Sequence, residues 1–446
     1  MKISVIGCGY LGAVHAATLA SMGHEVVGVD TDAEKVGHLA RGFAPFFEPG
    51  LEELLEDGRG TGRLAFTTEM DLVAGCDVHF LCVGTPQSKT SEVADLTYLE
   101  AATRSLAAHA RAGSVVVGKS TVPVGTVRHV RSWLAGTDVQ LAWNPEFLRQ
   151  GTAVKDSLVP DRLVYGVDEA DAAAPAVLRA LDEVYAPLLH AGVPRLVCSF
   201  ATAELIKSAA NAYLATKLSY INAMAELCDA AGADVTQLAA AMGLDPRIGQ
   251  RYLAAGLGFG GGCLPKDIRS FRAQARELDV ASVDTWMGLV DSINVGQRAR
   301  VAEIAAELCG GTVAGRRVAV LGAAFKPDTD DIRDSPALDV ALRLASAGAH
   351  VVVTDPKAIN NAWLRYPQLQ FEAALRNACE GADLVLLLTE WAEYRTLNPH
   401  ELAEIVAGRV MVDARNVLDR DVWREAGWTV HGLGTGTQVS ETAPAR

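Results

Sequence analysis

Cys263 has the sequence surroundings of a reactive thiol. Five of the seven residues before it are glycine, and the segment after it, LPKDIRSFRAQAREL, predicts a helix with Pro265 in its first turn. A thiol at a helix N-terminus with Lys266 close by has a lowered pKa and forms the nucleophilic thiolate more readily. The sequence therefore predicts covalent catalysis through Cys263, whereas a buried structural role is expected for the other seven cysteines. A glycine-flanked helix start is also a phosphate-binding geometry, and the two interpretations are compatible.

Three other polar residues stand in apolar or strand-end settings. Lys207 and Asn211 are four residues apart in a predicted long helix, so they share a face among Ala, Leu, Ile and Tyr. Glu146, in NPEFLRQG, follows a predicted strand, and ligands bind at the carboxyl ends of parallel strands. A solvated helix stripe is the alternative for the first two residues, and an ordinary helix N-terminal acid for Glu146.

The segment DTDDIRDS (328–335) contains four aspartates and one arginine. Its spacing is not that of an EF-hand loop, and there is no histidine near it. We expect a solvated or salt-bridged loop here and no metal site.

The N-terminus carries a dinucleotide fingerprint. Gly7, Gly9 and Gly12 form GxGxxG directly after a predicted strand, and Asp30 ends the next strand, 18 residues after Gly12. The glycines allow a tight turn and a close approach of backbone to a pyrophosphate, while the acid is placed for the ribose hydroxyls. A carboxylate there would repel a 2′-phosphate, so the sequence predicts NAD rather than NADP as the cofactor.

The order of elements predicts an α/β fold with two Rossmann-like, doubly wound parallel-sheet domains joined by a long central helix and a helical domain. Strands alternate with helices up to about residue 198, a helix without proline runs from about Ala201, and the alternation returns after Gly310. The second repeat, from Gly322 to Asp355, lacks the glycine pattern and has a polar insertion, so we expect no second dinucleotide there.

Composition limits the class of protein. The chain has 446 residues, half of them apolar, with 40 Lys and Arg against 54 Asp and Glu and a net charge of −14. There is no electrostatic case for binding nucleic acid or an anionic membrane. Eight scattered cysteines without a CxxC pair predict a reduced, cytoplasmic protein. Residues 3–23 carry no charge other than His15, but their glycines argue against a signal peptide or membrane anchor.

Several segments together resemble the UDP-glucose/GDP-mannose dehydrogenase family from Met1 to about residue 433. They are GCGYLG, FEPGLEELL (47–55), VGTP (83–86), KSTVPVGT (119–126), NPEFLRQGTA (144–153), ELIKSAANAYLATK (204–217), RIGQRYLAAGLGFGGGCLPKD (247–267) and FKPDTDDIRDSP (325–336). The resemblance implies an NAD-binding domain at 1–197, a central helical and dimerisation domain at 198–300, a nucleotide-sugar-binding domain at 301–433 and a disordered tail at 434–446. It also implies a homodimer or higher homo-oligomer, and a product used in polysaccharide biosynthesis.

The same resemblance implies oxidation of the C6 alcohol of UDP-glucose to UDP-glucuronate with two NAD+, through a thiohemiacetal and a thioester on the cysteine. The catalytic residues implied are Cys263, Lys207, Asn211, Asp267, Glu146 and Thr121. The cofactor contacts implied are Gly7, Gly9, Tyr10, Leu11, Gly12, Asp30, Lys35, Thr85, Thr121, Lys266 and Arg333. The substrate contacts implied are Glu146, Phe147, Leu148, Lys207, Asn211, Arg247, Tyr252, Phe259, Gly260 and Lys326.

Two positions depart from the family pattern. Gln150 stands where a carboxylate is usual, so an acid or base role there is lost or passes to Glu146. Gly262 stands where serine is common, and we expect the change to be tolerated, with a looser loop as its consequence. GDP-mannose or a UDP-N-acetyl sugar is the alternative substrate. A two-electron hydroxyacid dehydrogenase and a non-catalytic NAD-binding sensor are more distant alternatives, for which Cys263 is superfluous.

Overall fold

The computed structural model describes residues 1–88 and 90–436, which form two compact units. The first unit contains Met1–Asn211 and Arg269–Val280, and the second contains Ala212–Ile268 and the described residues from Ala281 onward. Two helices are therefore shared between the units, α9 (Phe200–Ala231) and α11 (Leu264–Glu277). The three-domain division at residues 197, 300 and 433 stays a prediction.

The first unit is built on an eight-stranded sheet with the order β3-β2-β1-β4-β5-β6-β7-β8. Its strands are β1 (Lys2–Ile6), β2 (Glu25–Val29), β3 (Leu64–Thr67), β4 (Val78–Leu81), β5 (Val115–Gly118), β6 (Gln140–Trp143), β7 (Leu163–Gly166) and β8 (Arg195–Cys198). The predicted doubly wound parallel-sheet architecture is confirmed, with one antiparallel junction, where β7 pairs with β6 at Trp143 and Gly166. Every other pairing in the sheet is parallel.

Helices cover both faces of this sheet. They are α1 (Tyr10–Ser21), α2 (Ala33–Ala40), α3 (Leu51–Gly60), α4 (Thr97–Ala107), α5 (Thr126–Trp133), α6 (Ala153–Leu158), α7 (Ala174–Val184), α8 (Ala186–His190) and the beginning of α9, with a 3-10 turn at Met70–Val73. Because alternate strand residues point to opposite faces, Val115 and Val117 join one apolar cluster and Val116 joins the other. Burial on both faces explains why these strands are continuous apolar runs.

The second unit is built on a six-stranded parallel sheet with the order β11-β10-β9-β12-β13-β14. Its strands are β9 (Arg317–Leu321), β10 (His350–Thr354), β11 (Gln370–Phe371), β12 (Leu384–Leu387), β13 (Val410–Asp413) and β14 (Thr429–Gly432). Its helices, besides parts of α9 and α11, are α10 (Val235–Gly243), α12 (Ala281–Leu308), α13 (Pro336–Ser346), α14 (Ile359–Arg365), α15 (Leu375–Cys379), α16 (Ala392–Arg395), α17 (Pro399–Ala403) and α18 (Arg420–Glu425).

The long helix and the second strand–helix repeat are confirmed. Helix α9 is 32 residues long and is followed by Gly232 at a φ of +69°, a left-handed conformation that glycine adopts without a steric penalty. None of the helices in the described part of the chain is long and apolar enough to cross a membrane.

The start of the predicted C-terminal tail is anchored. The backbone N–H groups of Gly434 and Gly436 donate to the carboxylate of Asp229 at 3.1 and 3.2 Å, so these residues belong to the second unit. Residues 437–446 lie outside the described residues, and their predicted disorder stays a prediction.

Candidate active site

The glycine turn after β1 has the geometry of a dinucleotide site. Gly7 lies at a φ of +88°, and its N–H donates to the carbonyl of Val29 at 2.8 Å. A Cβ added to Gly12 would lie 1.8 Å from the carbonyl oxygen of Gly7, whereas nothing lies within 4 Å of a Cβ added to Gly9. Gly12 is therefore required for the close contact between helix and strand, and Gly9 leaves open space beside the N-terminus of α1, as a bound pyrophosphate requires.

Asp30 lies at the end of β2, as predicted. Its carboxylate accepts the N–H of Cys8 at 2.8 Å and that of Asp32 at 3.0 Å. Lys35 approaches the same carboxylate, with Nζ 3.0 Å from Oδ2. The acid is thus fixed against the glycine turn, and Lys35 lies beside it.

Tyr10 and Leu11 begin α1, and Tyr10 connects the glycine turn to a buried acid that the sequence analysis did not single out. The Tyr10 hydroxyl donates to Glu48, which also accepts the N–H of Gly151 at 2.6 Å and that of Ala153 at 2.7 Å. Glu48 is buried and belongs to the FEPG motif. The FEPG motif was the only feature of the sequence that pointed to Glu48. Its structural role is to hold the segment after Glu146.

Glu146 and Lys207 form a buried ion pair at the carboxyl edge of the first sheet. Lys207 Nζ lies 3.0 Å from Glu146 Oε1, with the two side chains 6% and 12% exposed. Glu146 Oε2 also accepts the N–H of Leu148 at 2.6 Å. Asn211 lies one turn further along α9 and is buried. The alternative of a solvated helix stripe is therefore wrong for Lys207 and Asn211.

Three further predicted residues lie at the carboxyl ends of the strands of this sheet: Phe147, Thr85 and Thr121. Two cations make cation–π contacts with the ring of Phe147: Arg162 Cζ lies 3.9 Å and Lys207 Nζ 5.7 Å from its centroid. The Thr85 hydroxyl donates to the carbonyl of Thr121 at 2.6 Å, which ties the loop after β4 to the loop after β5.

Lys119 is a buried cation that sequence reasoning missed. Its Nζ donates to Asn144 Oδ1 at 2.8 Å and to the Tyr185 hydroxyl at 3.3 Å. Burial lowers the pKa of Lys119 to about 8, although Cys82 and Glu146 favour its charged form. Asn144 also donates to the carbonyl of Val164 at 2.9 Å, so Lys119 holds the residue two before Glu146. The only sequence signal was a lysine directly after an apolar strand.

Glu204 is a second buried group that was missed. Its carboxylate accepts the N–H groups of Gly125 at 2.7 Å and Val127 at 2.8 Å, and so caps the N-terminus of α5 from helix α9. Burial raises the pKa of Glu204, and these hydrogen bonds oppose that rise. The loop that carries Thr121 is thereby anchored at its far end.

In the second unit, Cys263 immediately precedes α11 and is exposed, as predicted. The Asp267 N–H donates to the Cys263 carbonyl at 2.8 Å, which forms the first turn of the helix. Lys266 Nζ lies 2.7 Å from Asp267 Oδ1, and the Asp267 side chain is only 3% exposed. The thiol therefore belongs to a residue at a helix N-terminus with a lysine–aspartate pair one turn away.

The glycines before Cys263 pack against the polar insertion after β9. A Cβ on Gly260 would lie 2.1 Å from the Asp334 carbonyl oxygen, and one on Gly262 would lie 2.3 Å from Arg333 Cζ. Gly261 lies at a φ of +87° and donates its N–H to the Arg333 carbonyl at 2.8 Å. The bare backbone that was predicted to admit a substrate also serves this close packing between two loops.

Phe259 is fixed from helix α12. Its N–H donates to Asn294 Oδ1 at 2.7 Å, and its carbonyl accepts from Asn294 Nδ2 at 3.0 Å. Arg298, also on α12 and buried, pairs with Asp334 at 2.9 Å and with Asp339 at 3.1 Å. Asn294 and Arg298 had no sequence signal that separated them from other helix polar residues.

The insertion is a salt-bridged loop, as the sequence predicted. Arg333 pairs with Asp331, with Nη2 2.6 Å from Oδ2. Lys326 lies next to Phe325, with Nζ 5.8 Å from the ring centroid.

Arg247 and Tyr252 lie between α10 and the Cys263 loop. Arg247 pairs with its neighbour Asp245 at 2.6 Å, and its side chain is 88% exposed. Tyr252 has a φ of +62°, an uncommon conformation for a residue with a side chain.

The predicted site residues thus fall into one group in each unit. The first group is Gly7, Gly9, Tyr10, Leu11, Gly12, Asp30, Lys35, Thr85, Thr121, Glu146, Phe147, Leu148, Lys207 and Asn211; the second is Arg247, Tyr252, Phe259, Gly260, Cys263, Lys266, Asp267, Lys326 and Arg333.

A mostly parallel sheet with an open glycine turn after β1 and an acid directly after β2 defines a dinucleotide-binding α/β protein. The chain belongs to the UDP-glucose/GDP-mannose dehydrogenase family. The family's NAD-binding domain matches residues 1–189, its central domain residues 201–295 and its UDP-binding domain residues 319–420. The protein is accordingly an NAD-dependent oxidoreductase, as the sequence predicted.

Full-length relatives agree with this assignment. The UDP-glucose 6-dehydrogenase of Rhizobium meliloti is 41% identical over 97% of this chain and 99% of its own length. The structure of a UDP-glucose dehydrogenase from Pyrobaculum islandicum is similar with a TM-score of 0.86 at 37% identity, covering 96% of this chain and 98% of the other. A UDP-D-ManNAc dehydrogenase from Pyrococcus horikoshii has a TM-score of 0.83 at 26% identity, covering 98% and 99%.

Proposed function

We propose that the protein oxidises the C6 alcohol of UDP-glucose to the carboxylate of UDP-glucuronate in two NAD+-dependent steps, with Cys263 as the nucleophile. The observation that carries the proposal is the exposed Cys263 at the N-terminus of α11, in a chain whose full-length relatives include UDP-glucose 6-dehydrogenases. When bound, NAD+ supplies the hydride acceptor for both oxidations.

The residues of the first group form the cofactor site and the polar site at the carboxyl edge of the first sheet. Gly7, Gly9 and Gly12 shape the turn against which the pyrophosphate binds, and Tyr10 and Leu11 begin the helix behind it. Asp30 accepts from the ribose hydroxyls, with Lys35 beside it and Thr85 in the loop after β4. The open space at Gly9 and the fixed carboxylate of Asp30 support this assignment.

The covalent steps belong to Cys263. After the first oxidation, the thiolate adds to the C6 aldehyde carbon, and the carbonyl double bond becomes an alkoxide. Loss of hydride from C6 then restores the carbonyl as a thioester. Water adds to that carbonyl, the carbon–sulfur bond breaks, and the acid and the thiol are released. Each mole of sugar therefore yields two moles of NADH.

Lys207 and Asn211 are proposed to donate hydrogen bonds to the oxygen at C6 while it carries negative charge. Both are buried, and a charge-assisted donor is stronger where water is excluded. Glu146 is proposed as the base for thioester hydrolysis, with Thr121 placing the water. The ion pair of Glu146 with Lys207, with Nζ 3.0 Å from Oε1, holds the proposed base next to the proposed donor. Asp267 is proposed to assist proton transfer through a water.

The other residues of the two groups bind ligands in this proposal. Phe147, Leu148, Tyr252, Phe259 and Gly260 line the sugar, and Lys326 and Arg247 contact the nucleotide sugar. Lys266 and Arg333 contact the cofactor. The exposed Arg247 is available for such a contact.

The test is to count NADH formed per UDP-glucose consumed. Wild type should give two, and Cys263→Ser should not complete turnover. Cys309→Ser, which changes a partly buried cysteine in the same unit, is the matched control and should behave as wild type. One NADH per sugar in the wild type would contradict the covalent mechanism and favour a two-electron dehydrogenase.

The sugar is tested separately with GDP-mannose and UDP-N-acetylmannosamine. Because a relative at 26% identity is a UDP-D-ManNAc dehydrogenase, the same fold supports another nucleotide sugar. We expect kcat/KM to be highest for UDP-glucose. A higher value for either alternative would reassign the substrate and leave the chemistry unchanged.

We also propose that the protein is a homodimer through its long helices. Tyr213, Tyr220 and Leu227 repeat every seven residues on α9 and are 57%, 44% and 59% exposed. Trp286 and Leu289 of α12 are 42% and 60% exposed. Such apolar stripes are typical of interfaces. Leu227→Asp should halve the mass measured by light scattering, whereas Trp363→Asp, on the exposed face of α14, should not.

A cytoplasmic location is proposed from the cysteines. All eight are in the described residues and none forms a disulfide, which is the pattern of proteins kept in a reducing compartment. Fractionation of the native cells should place the activity in the soluble fraction.

A further inference from the structure

Gly262, the residue before Cys263, lies directly against the guanidinium of Arg333. A Cβ at position 262 would lie 2.3 Å from Arg333 Cζ and 2.5 and 2.6 Å from its two terminal nitrogens. Atoms cannot approach that closely without a shift. With Arg333 in this position, residue 262 has to be glycine, although serine is the residue that the family resemblance leads one to expect.

Arg333 is held in place by two sets of bonds. Its guanidinium pairs with Asp331, with Nε 3.0 Å from both carboxylate oxygens and Nη2 2.6 Å from Oδ2. Its backbone carbonyl accepts the Gly261 N–H at 2.8 Å. The side chain of Arg333 is thus held within the insertion, and its backbone is bonded to the loop before the thiol.

Charged groups on three elements, α11, the insertion and α12, lie around the Cys263 loop. On α11, Lys266 is paired with the buried carboxylate of Asp267, which offsets much of its positive charge. On the insertion, Arg333 is paired with Asp331, whose side chain is 10% exposed, and Arg298 of α12 pairs with Asp334. Hydrogen bonding to Asp331 raises the pKa of Arg333, and the Cys263 thiolate raises it further. The same attraction must favour the thiolate.

We propose that Arg333 stabilises the Cys263 thiolate as its counter-ion, and that glycine at position 262 is what allows the guanidinium to lie beside it. The proposal rests on the proposed function, in which Cys263 is the nucleophile, and it gives Arg333 a role in addition to cofactor contact. Glycine in place of serine at position 262 then has a function, because it leaves room for the Arg333 guanidinium.

The test measures the ionisation of the thiol rather than turnover. The rate of alkylation by iodoacetamide is followed against pH, with Cys263→Ser subtracted to remove the other cysteines. Arg333→Gln should raise the apparent pKa of the thiol by roughly 0.5–1 unit, since a neighbouring cation lowers it. Arg333→Lys should restore part of the difference. Because the Arg333 side chain is 63% exposed, the difference should shrink at high salt.

Gly262→Ser tests the second half of the proposal. The hydroxymethyl group would displace the guanidinium, so its pH profile should move in the direction of Arg333→Gln. Arg424→Gln removes the same charge from α18 and should leave the profile at the wild-type position.

Two results would overturn the proposal. One is an Arg333→Gln profile that coincides with wild type or with Arg424→Gln. The other is a Gly262→Ser profile at the wild-type position while Arg333→Gln is shifted, which would remove the role of the glycine. The alkylation result is independent of the NADH count, so two NADH per sugar from Cys263→Ser would contradict the proposed function while the thiol measurement still decides the role of Arg333.

Discussion

The turn after β1 and the turn after β9 have the same backbone support but different sequences. In each, a glycine with positive φ leaves the strand, and an aspartate at the end of the neighbouring strand accepts backbone N–H groups of the turn: Asp30 from Cys8 and Asp355 from Ala323 and Ala324. The first turn continues with Gly9 and Gly12 and leaves open space, whereas the second continues with alanines. The shared feature is the support of the turn.

The two aspartates differ in what else they bind. Asp355 is buried, and its carboxylate also accepts from Lys357, Ala358 and the Trp391 indole. Asp30 instead lies beside Lys35 at the edge of the sheet. The second turn leads into the insertion that packs against the Cys263 loop. The comparison teaches that the same carboxylate position can be filled by structural hydrogen bonds in one copy, as at Asp355, and lie beside an open glycine turn in the other, where we propose that it also contacts the cofactor.

The largest expected effect is a difference in the free energy of unfolding between the Asp355→Asn and Asp30→Asn variants. Asp355→Asn places an amide NH2 among five donors, so at least one buried N–H loses its acceptor. The free energy of unfolding should fall by about 3 kcal/mol. Asp30→Asn should lower it by about 1 kcal/mol or less, because its carboxylate accepts the backbone N–H groups of Cys8 and Asp32 and its other neighbour, Lys35, is 27% exposed and can be solvated. Chemical denaturation of both variants checks this, and equal losses would contradict the comparison.

Lys119 is a buried amine in the first unit. The pKa of Lys119 is lowered to about 8, below its value in the unfolded chain. Between pH 8 and about 10.4 the unfolded chain therefore binds more protons than the folded one, and stability rises with pH. Wild type should gain on the order of 3 kcal/mol across that window relative to Lys119→Met. Denaturation at several pH values measures the difference.

If the difference in the free energy of unfolding between wild type and Lys119→Met did not change with pH across that window, the lowered pKa of Lys119 would be contradicted. Lys2→Met is a suitable control, since its side chain is 61% exposed and should leave the pH dependence unchanged.

A smaller effect tests Asp30 as a ligand contact. Asp30→Asn should weaken NAD+ binding about tenfold, because a neutral amide is a poorer acceptor for the ribose hydroxyls. It should also reduce the preference for NAD+ over NADP+, since the repulsion of a 2′-phosphate is removed. Calorimetric titration measures both, with the exposed Glu34→Gln as a control for charge. Unchanged NAD+ affinity in Asp30→Asn would contradict the assignment.

The features that could be predicted from the sequence depend on residues that are close to one another in the chain. The glycine turn, Asp30, the helix start at Cys263 and the length of α9 depend on neighbours within a few turns or one strand–helix unit. Glu204 caps a helix 77 to 79 residues away, and Lys119 meets Tyr185 66 residues away. The glycines at 260 to 262 were noticed, but the loop that requires them follows more than 60 residues later. The antiparallel junction between β6 and β7 was missed because strand direction leaves no pattern in the residues.

The smallest prediction compares a distant cap with a local one. Glu204 caps α5 from another helix, whereas Ser335 caps α13 as its own N-cap residue, accepting the Leu338 N–H at 3.4 Å and donating to the Ala323 carbonyl at 2.7 Å. Glu204→Gln keeps one acceptor of two, and Ser335→Ala loses a cap, so each should cost about 1 kcal/mol of stability. The difference lies in activity. Since Glu204 anchors the loop of Thr121, Glu204→Gln should lower kcat several-fold, and Glu204→Gln with wild-type kcat would show that this loop needs no distant anchor.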